Sequence, residues 1–223
     1  MKNPLLIIIT VLMTVQTANS NTNFYFGLSG GYSNFDMQNF RSVTNSISYY
    51  NIKLPVVDNF PSNYFGKVEL YIINDSLMRF GINFRSESTG ATVGLKDYSG
   101  EIKVEQYLTG LSFGTSLFYI LKPSSYFDLL IGAELGLTKS KYEIFEKYKV
   151  FDEQQNSNVI EKFNNLYFQP GLKVEIPYND FRFSLYADLY IGIKDFYFGT
   201  NESAIAKDWN GLRYGLMVSY LFY

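Results

Sequence analysis

The residues in this sequence that could take part in chemistry are charged side chains that alternate with apolar ones. In the run from Phe181 to Lys194, for example, every second residue is apolar. A period of two places the intervening residues on the opposite face of a strand. Taken over all such runs, that face holds Lys67, Arg79, Arg85, Lys173, Arg182, Lys194 and Arg213 together with Glu69, Glu87, Asp128, Glu134, Glu175 and Asp188. Seven positive charges against six negative ones predict mutual ion pairs, because a buried charge needs a partner.

The residue types restrict what these charges could catalyse. The chain has no His and no Cys, which removes the commonest general base, the commonest zinc ligand and all thiol chemistry. A carboxylate pair such as Glu69 and Glu134 could act as acid and base, but the spacing does not single this pair out. We therefore predict no catalysis, no cofactor and no metal.

The alternating runs number eight and predict an all-β fold. They are Phe24–Phe35, Tyr64–Ile73, Leu77–Glu87, Glu101–Leu121, a run that begins at Tyr126, Asn165–Ile176, Phe181–Lys194 and Gly211–Tyr223. Their connections alternate in length, with long ones at 36–63, 88–100, 138–164 and 195–210 and short ones at 74–76, 122–125 and 177–180. This asymmetry is typical of an eight-stranded antiparallel up-and-down transmembrane β-barrel with short periplasmic turns and long extracellular loops.

Alternation alone does not say which face points outward, because a soluble barrel around a small ligand has the same period. Three features favour the membrane. The polar face is rich in glycine, which makes room for long side chains inside a narrow barrel. The apolar face turns charged near one end of two successive runs, at Lys103 and at Lys139. Aromatic residues lie near the ends of the apolar face, where they suit the membrane interface. They include Tyr32, Tyr64, Phe84, Tyr107, Tyr119, Phe127, Phe168, Phe183, Tyr214, Tyr220 and Phe222.

The N-terminus has the pattern of an export signal. Lys2 precedes an apolar segment from Pro4 to Val15, and Ala18 and Ser20 supply small residues for cleavage. We predict a cleaved signal peptide at residues 1–20, a barrel domain at residues 21–223 and a location in the bacterial outer membrane.

With these patterns, residues 24–223 resemble the OmpA/OmpX-like family of eight-stranded outer-membrane barrels. The resemblance implies that outer-membrane lipid surrounds the barrel and that the barrel-assembly machinery recognises a C-terminal aromatic residue. In the family the terminal aromatic shares the lipid-facing parity, whereas here that parity ends at Phe222 and Tyr223 lies one residue beyond. The resemblance implies an architecture rather than a particular function.

These observations predict a structural or surface-interaction role, with an ion-pair network that closes the lumen. Loops 36–63 and 138–164 are candidates for binding a surface protein or host ligand, in part by adding a strand to an exposed edge. The only Trp, Trp209, is expected to anchor the outer interface. The alternatives are a small channel or transporter, or an accessory barrel of an envelope secretion machine. A net charge of −2 gives no case for nucleic acid.

Overall fold

The fold consists almost entirely of β-strands. In the computed structural model, residues 23–49, 52–74, 77–98, 100–122, 124, 126–150, 153–196 and 209–222 are described. The elements are β1 Asn23–Ser33, α1 Gln38–Ser46, β2 Ser48–Tyr49, β3 Ile52–Lys53, β4 Val56–Asn59, β5 Asn63–Asn74, β6 Met78–Lys96, β7 Gly100–Lys122, β8 Asp128–Val150, β9 Glu153–Tyr178, β10 Phe181–Phe196 and β11 Gly211–Phe222. The proposed signal peptide and Tyr223 lie outside the described residues.

Eight of these strands close into a ring. The order β6-β5-β1-β11-β10-β9-β8-β7 returns to its start through the pairing of β6 with β7. Every pair is antiparallel, and β1 pairs with β11 from Phe24 opposite Phe222 to Ser33 opposite Arg213. The predicted eight-stranded antiparallel barrel is therefore confirmed, and each of the eight runs corresponds to one strand.

The two faces of the ring differ as the alternation predicts. Leu185, Ile191 and Val218 point outward, with 59%, 37% and 43% of their surface exposed. Asp188, which shares a strand with Leu185, is 3% exposed because it points into the barrel. The barrel thus has an apolar outer surface and a polar interior.

Three strands, β6, β8 and β9, continue well beyond the predicted runs, at the end we call the upper end, and β7 reaches the same end over its predicted length. The run expected to stop at Glu87 continues in β6 to Lys96, and the run expected to start at Asn165 begins in β9 at Glu153. Connections 88–100 and 138–164, predicted as loops, are therefore mostly strand. We call residues 88–96, 100–108, 140–150 and 153–163 the projecting sheet. The alternation of apolar and polar residues weakens there because neither face contacts a uniform apolar layer.

The first long connection is folded rather than open. It contains α1, whose Phe40 and Thr44 are buried, and the short strand β4, which pairs with β6. None of the helices in the described ranges has the length and apolar character needed to cross a membrane.

Candidate functional site: a charged lumen between apolar layers

The barrel interior brings together charged side chains from six of the eight strands. The ten predicted members of the network all point inward, and so do Glu87 and Asp128. The side chain of Lys194 lies outside the described residues. We divide the twelve into two groups. The lower lumen cluster is Glu69, Arg79, Asp128, Lys173, Glu175 and Arg182, and the upper lumen cluster is Lys67, Arg85, Glu87, Glu134, Asp188 and Arg213. Each cluster holds three positive and three negative side chains.

Arg79 is the centre of the lower lumen cluster. Its Nη1 lies 2.7 Å from Glu175 Oε2 and its Nη2 lies 3.1 Å from Glu69 Oε2, with all three side chains fully buried. Arg182 Nη1 lies 2.7 Å from Glu175 Oε1 and 2.9 Å from Asp128 Oδ2. Lys173 Nζ lies 3.5 Å from Glu69 Oε2. These contacts join β5, β6, β8, β9 and β10 across the lumen.

The upper lumen cluster is organised around two glutamates. Glu134 accepts a hydrogen bond of 2.6 Å from Lys67 Nζ and one from the Tyr167 hydroxyl. Glu87 accepts bonds from two nitrogens of Arg213, at 3.0 Å and 2.8 Å. A fork of two parallel N–H groups on one carboxylate is among the stronger charge-assisted contacts.

Arg85 connects these two glutamates and reaches a third acid through an amide. Its Nε lies 3.8 Å from Glu87 Oε1, and its Nη1 lies 4.0 Å from Glu134 Oε1. Arg85 Nη1 also donates to Gln169 Oε1 at 2.7 Å, and Gln169 Nε2 donates to Asp188 Oδ2 at 3.1 Å. Sequence reasoning missed the bridging role of Gln169, although its parity in β9 places it on the charged face.

Glycine makes room for these side chains at two positions. A Cβ atom at Gly171 would collide with the Asp188 carboxylate, and one at Gly81 would lie 3.0 Å from Glu69 Oε1. A larger residue at either position would displace an acidic group from its partner. This is a specific reason for glycine in mid-strand, where it otherwise lowers stability.

An apolar layer lies below the lower lumen cluster. Tyr25 stacks on Tyr71 with ring centroids 5.0 Å apart, and the guanidinium of Arg79 lies 3.4 Å from the centroid of the Tyr71 ring. Ile120 and Leu130 are buried in the same layer. Aromatic rings and aliphatic side chains thus cover the charges toward the rim of short turns.

A second apolar layer lies above the upper lumen cluster and is built partly by the first long connection. Phe40 of α1 packs on Phe60 and Tyr142, with ring centroids 5.3 Å and 4.7 Å apart. Thr44 Oγ1 donates to Gln106 Oε1 at 3.2 Å, and the Tyr142 hydroxyl donates to the same oxygen at 2.6 Å. Burial, with a smaller contribution from Glu161, raises the pKa of Tyr142, so this hydroxyl stays a donor. Phe40, Thr44 and Phe60 of the first long connection therefore pack into the mouth of the barrel.

Trp209 belongs to this upper layer, so its predicted role as an interface anchor is wrong. The indole is fully buried and packs edge-on against Phe35 with ring centroids 5.1 Å apart. Its Nε1–H donates to Ser140 Oγ at 2.9 Å. A buried polar N–H needs such an acceptor, and the interior supplies it where lipid would not.

The eleven interface aromatics face outward with one partial exception. Ten of them are exposed, namely Tyr64, Phe84, Tyr107, Tyr119, Phe127, Phe168, Phe183, Tyr214, Tyr220 and Phe222. Tyr32 is half-buried because it packs against Tyr64 and Tyr214, with centroids 5.6 Å and 5.8 Å away. The outward aromatics therefore form contacts with one another as well as a surface.

The arrangement offers little for acid–base or metal chemistry. Glu69 and Glu134, the pair that could act as acid and base, belong to different clusters and each contacts its own cations. Within the described ranges, no group of three His, Cys, Asp or Glu residues is placed to hold a metal ion.

Comparisons with known proteins yield similar structures only. No protein-family model and no curated protein matches the chain. Among solved structures, Ail, the attachment invasion locus protein of Yersinia pestis, is similar at 13% identity and a TM-score of 0.39, over 90% of this chain and 97% of that one. Neisserial surface protein A is similar at 11% identity and a TM-score of 0.46, over 89% and 97%. Ail has also been solved with the heparin analogue sucrose octasulfate, and that structure is similar at a TM-score of 0.41.

Proposed function

We propose that this protein is an integral barrel of the bacterial outer membrane, exported by a signal peptide that is removed. The observation that carries the proposal is the division between faces: outward residues such as Leu185 and Leu216 are apolar and exposed, while Arg79 and Glu175 are fully buried inside. In water that exposed apolar surface would be unfavourable, whereas in lipid it is matched to its solvent.

Heat-modifiable migration tests the location. The protein should fractionate with outer membranes and run faster in an unheated gel than in a boiled one, because a folded barrel resists detergent. Recovery in the soluble periplasmic fraction would contradict the proposal and favour the ligand-binding soluble barrel.

We further propose that the lumen is closed and performs no turnover. Two observations support this: the charges pair with one another, as Arg213 does with Glu87, and apolar layers lie both below and above them. In planar bilayers the protein should show no conductance steps. Regular steps that scale with salt would instead support the small channel or transporter.

The role we propose is surface interaction through the projecting sheet. Above the pairing of Phe196 with Asn164, strand β9 pairs only with β8 among the described residues, so Glu153–Phe163 presents an edge. The opposite edge of the sheet is β4, which is only four residues long. Short edge strands resist the addition of a foreign strand, whereas long ones accept it.

Matched lysine substitutions on the two edges test this role. Val159 on β9 and Val57 on β4 are both exposed, at 48% and 73%. Val159→Lys should reduce the capture of a surface or host protein by intact cells, because a charge on an edge opposes strand addition. Val57→Lys should leave capture unchanged. Equal capture by both variants would leave the accessory barrel of a secretion machine as the better description.

A further inference from the structure

Three lysines lie on the outer face of β8 and β9, directly above the apolar surface. Lys141 is opposite Lys162 in the strand pairing, and Lys139 is opposite Asn164. One step lower on the same face, Leu137 is opposite Leu166. The lysines therefore mark the upper boundary of the lipid-facing region on these two neighbouring strands.

The charges in this sector are not balanced within the barrel. Lys141 Nζ is 2.6 Å from Glu143 Oε1 and is thereby paired. Among the described residues, neither Lys139 nor Lys162 lies within 4.0 Å of a carboxylate. Lys141 and Lys162 are directly opposite each other, and like charges in that arrangement are destabilising. Glu143 offsets only Lys141, so the charges of Lys162 and Lys139 remain without a carboxylate partner. The cluster is therefore complementary to an anion supplied from outside the protein.

A groove descends from this cluster along the apolar surface. It has a volume of about 710 Å³. Its outward-facing lining occupies two levels of the strand register, with Leu111, Lys139 and Asn164 on the upper level and Phe84, Phe113 and Leu137 on the lower one. An acyl chain suits the lower part, and a negatively charged headgroup suits the upper part.

We propose that this cluster and groove bind one lipid that carries phosphate on its headgroup, in the outer leaflet around the barrel. The phosphate lies between Lys139 and Lys162, and an acyl chain lies in the groove below. The inference rests on the proposed insertion in the outer membrane, but it assigns a ligand to one sector of the outer surface, which that proposal does not. The bound lipid contacts β8 and β9, which also form part of the projecting sheet, and so orients that sheet relative to the lipid headgroup layer.

The test uses the folded full-length protein in nanodiscs that contain either diphosphoryl or monophosphoryl lipid A, with bound lipid counted by native mass spectrometry. The unaltered protein should retain the diphosphoryl form preferentially. The double variant Lys139→Gln/Lys162→Gln should retain about 10- to 30-fold less of it, on the basis that each surface lysine contributes about fivefold to an anionic lipid contact. Lys139→Arg/Lys162→Arg should restore retention because the charges return.

Lys147→Gln is the matched control, because Lys147 is a lysine of the same projecting strand that pairs with Glu101 at 3.3 Å. It should retain lipid like the unaltered protein. Equal loss in this control, or no preference between the two lipids, would overturn the site. Complete displacement of the lipid by inorganic phosphate at equal phosphate concentration would also overturn it, since the groove would then contribute nothing.

Migration of each preparation in heated and unheated gels separates this inference from the proposed location. A protein that inserts and shows no lipid preference refutes the lipid site alone. A protein that does not insert refutes both.

Discussion

Two ion pairs with the same N–O distance occupy opposite environments in this barrel. Lys67 Nζ lies 2.6 Å from Glu134 Oε2 in the lumen, and both side chains are at most 3% exposed. Lys141 Nζ lies 2.6 Å from Glu143 Oε1 on the projecting sheet, where the two side chains are 42% and 19% exposed. Distance alone therefore does not rank the two contacts. What ranks them is the environment of the charge that remains after its partner is removed.

The difference follows from desolvation. Removing one partner of a buried pair leaves the other charge in a medium of low dielectric constant, at a cost of several kcal/mol. Removing one partner of a surface pair leaves a charge that water and salt solvate at once. Breaking a lumen pair should therefore lower the stability of the barrel much more than breaking a pair on the projecting sheet.

The largest expected effect comes from removing Glu134. Glu134→Ala should lower the free energy of unfolding by about 3–5 kcal/mol, because Lys67 then stays buried without its closest anion. Glu143→Ala on the sheet should lower it by less than about 1 kcal/mol. Urea unfolding of the protein in lipid vesicles, followed by the fraction with folded gel mobility, measures both.

An apolar replacement of the whole pair distinguishes the buried charge from the lost volume. Lys67→Met combined with Glu134→Leu should recover much of the stability that Glu134→Ala loses, since no charge remains unpaired. Equal unfolding midpoints for Glu134→Ala and Glu143→Ala would show that water reaches the lumen and would undermine the comparison.

A smaller effect is expected at Trp209, which extends the comparison to a neutral polar group. Trp209→Phe should cost about 2 kcal/mol, because the packing shrinks and Ser140 loses its donor. Brominated lipids should quench the fluorescence of Trp209 weakly. In the Trp209→Phe background, Phe168→Trp places the indole at an outward position that is 39% exposed and lies below the lysines, and there quenching should be strong. Equal quenching at both positions would return Trp209 to the membrane interface.

The sequence predicted the ring and its two faces because both depend on a period of two within lipid. Successive residues of each strand point alternately to the outside and to the lumen, so Leu185 is apolar and Asp188 is charged. That signal fades above Lys139, where outward residues contact water, so the pattern alone did not extend β8 to Val150.

The mouth of the barrel could not be predicted for a different reason. The helix at Gln38–Ser46 is short and is held by contacts with distant residues such as Tyr142 and Gln106. Trp209 lies outside any alternating run, so no parity indicates its direction. Long-range packing determines both the position of this helix and the direction of the Trp209 side chain, and local sequence patterns do not encode such contacts.

The smallest expected effect is the salt dependence that separates the two pairs. Raising ionic strength from about 0.01 M to 1 M shortens the screening length from about 30 Å to about 3 Å, which weakens exposed pairs and hardly reaches buried ones. The difference in unfolding free energy between Glu143→Ala and the unaltered protein should therefore vanish at high salt, while the difference for Glu134→Ala should persist. A parallel decline of both differences would mean that ions enter the lumen, and the small channel would then account for the charges better than the closed network does.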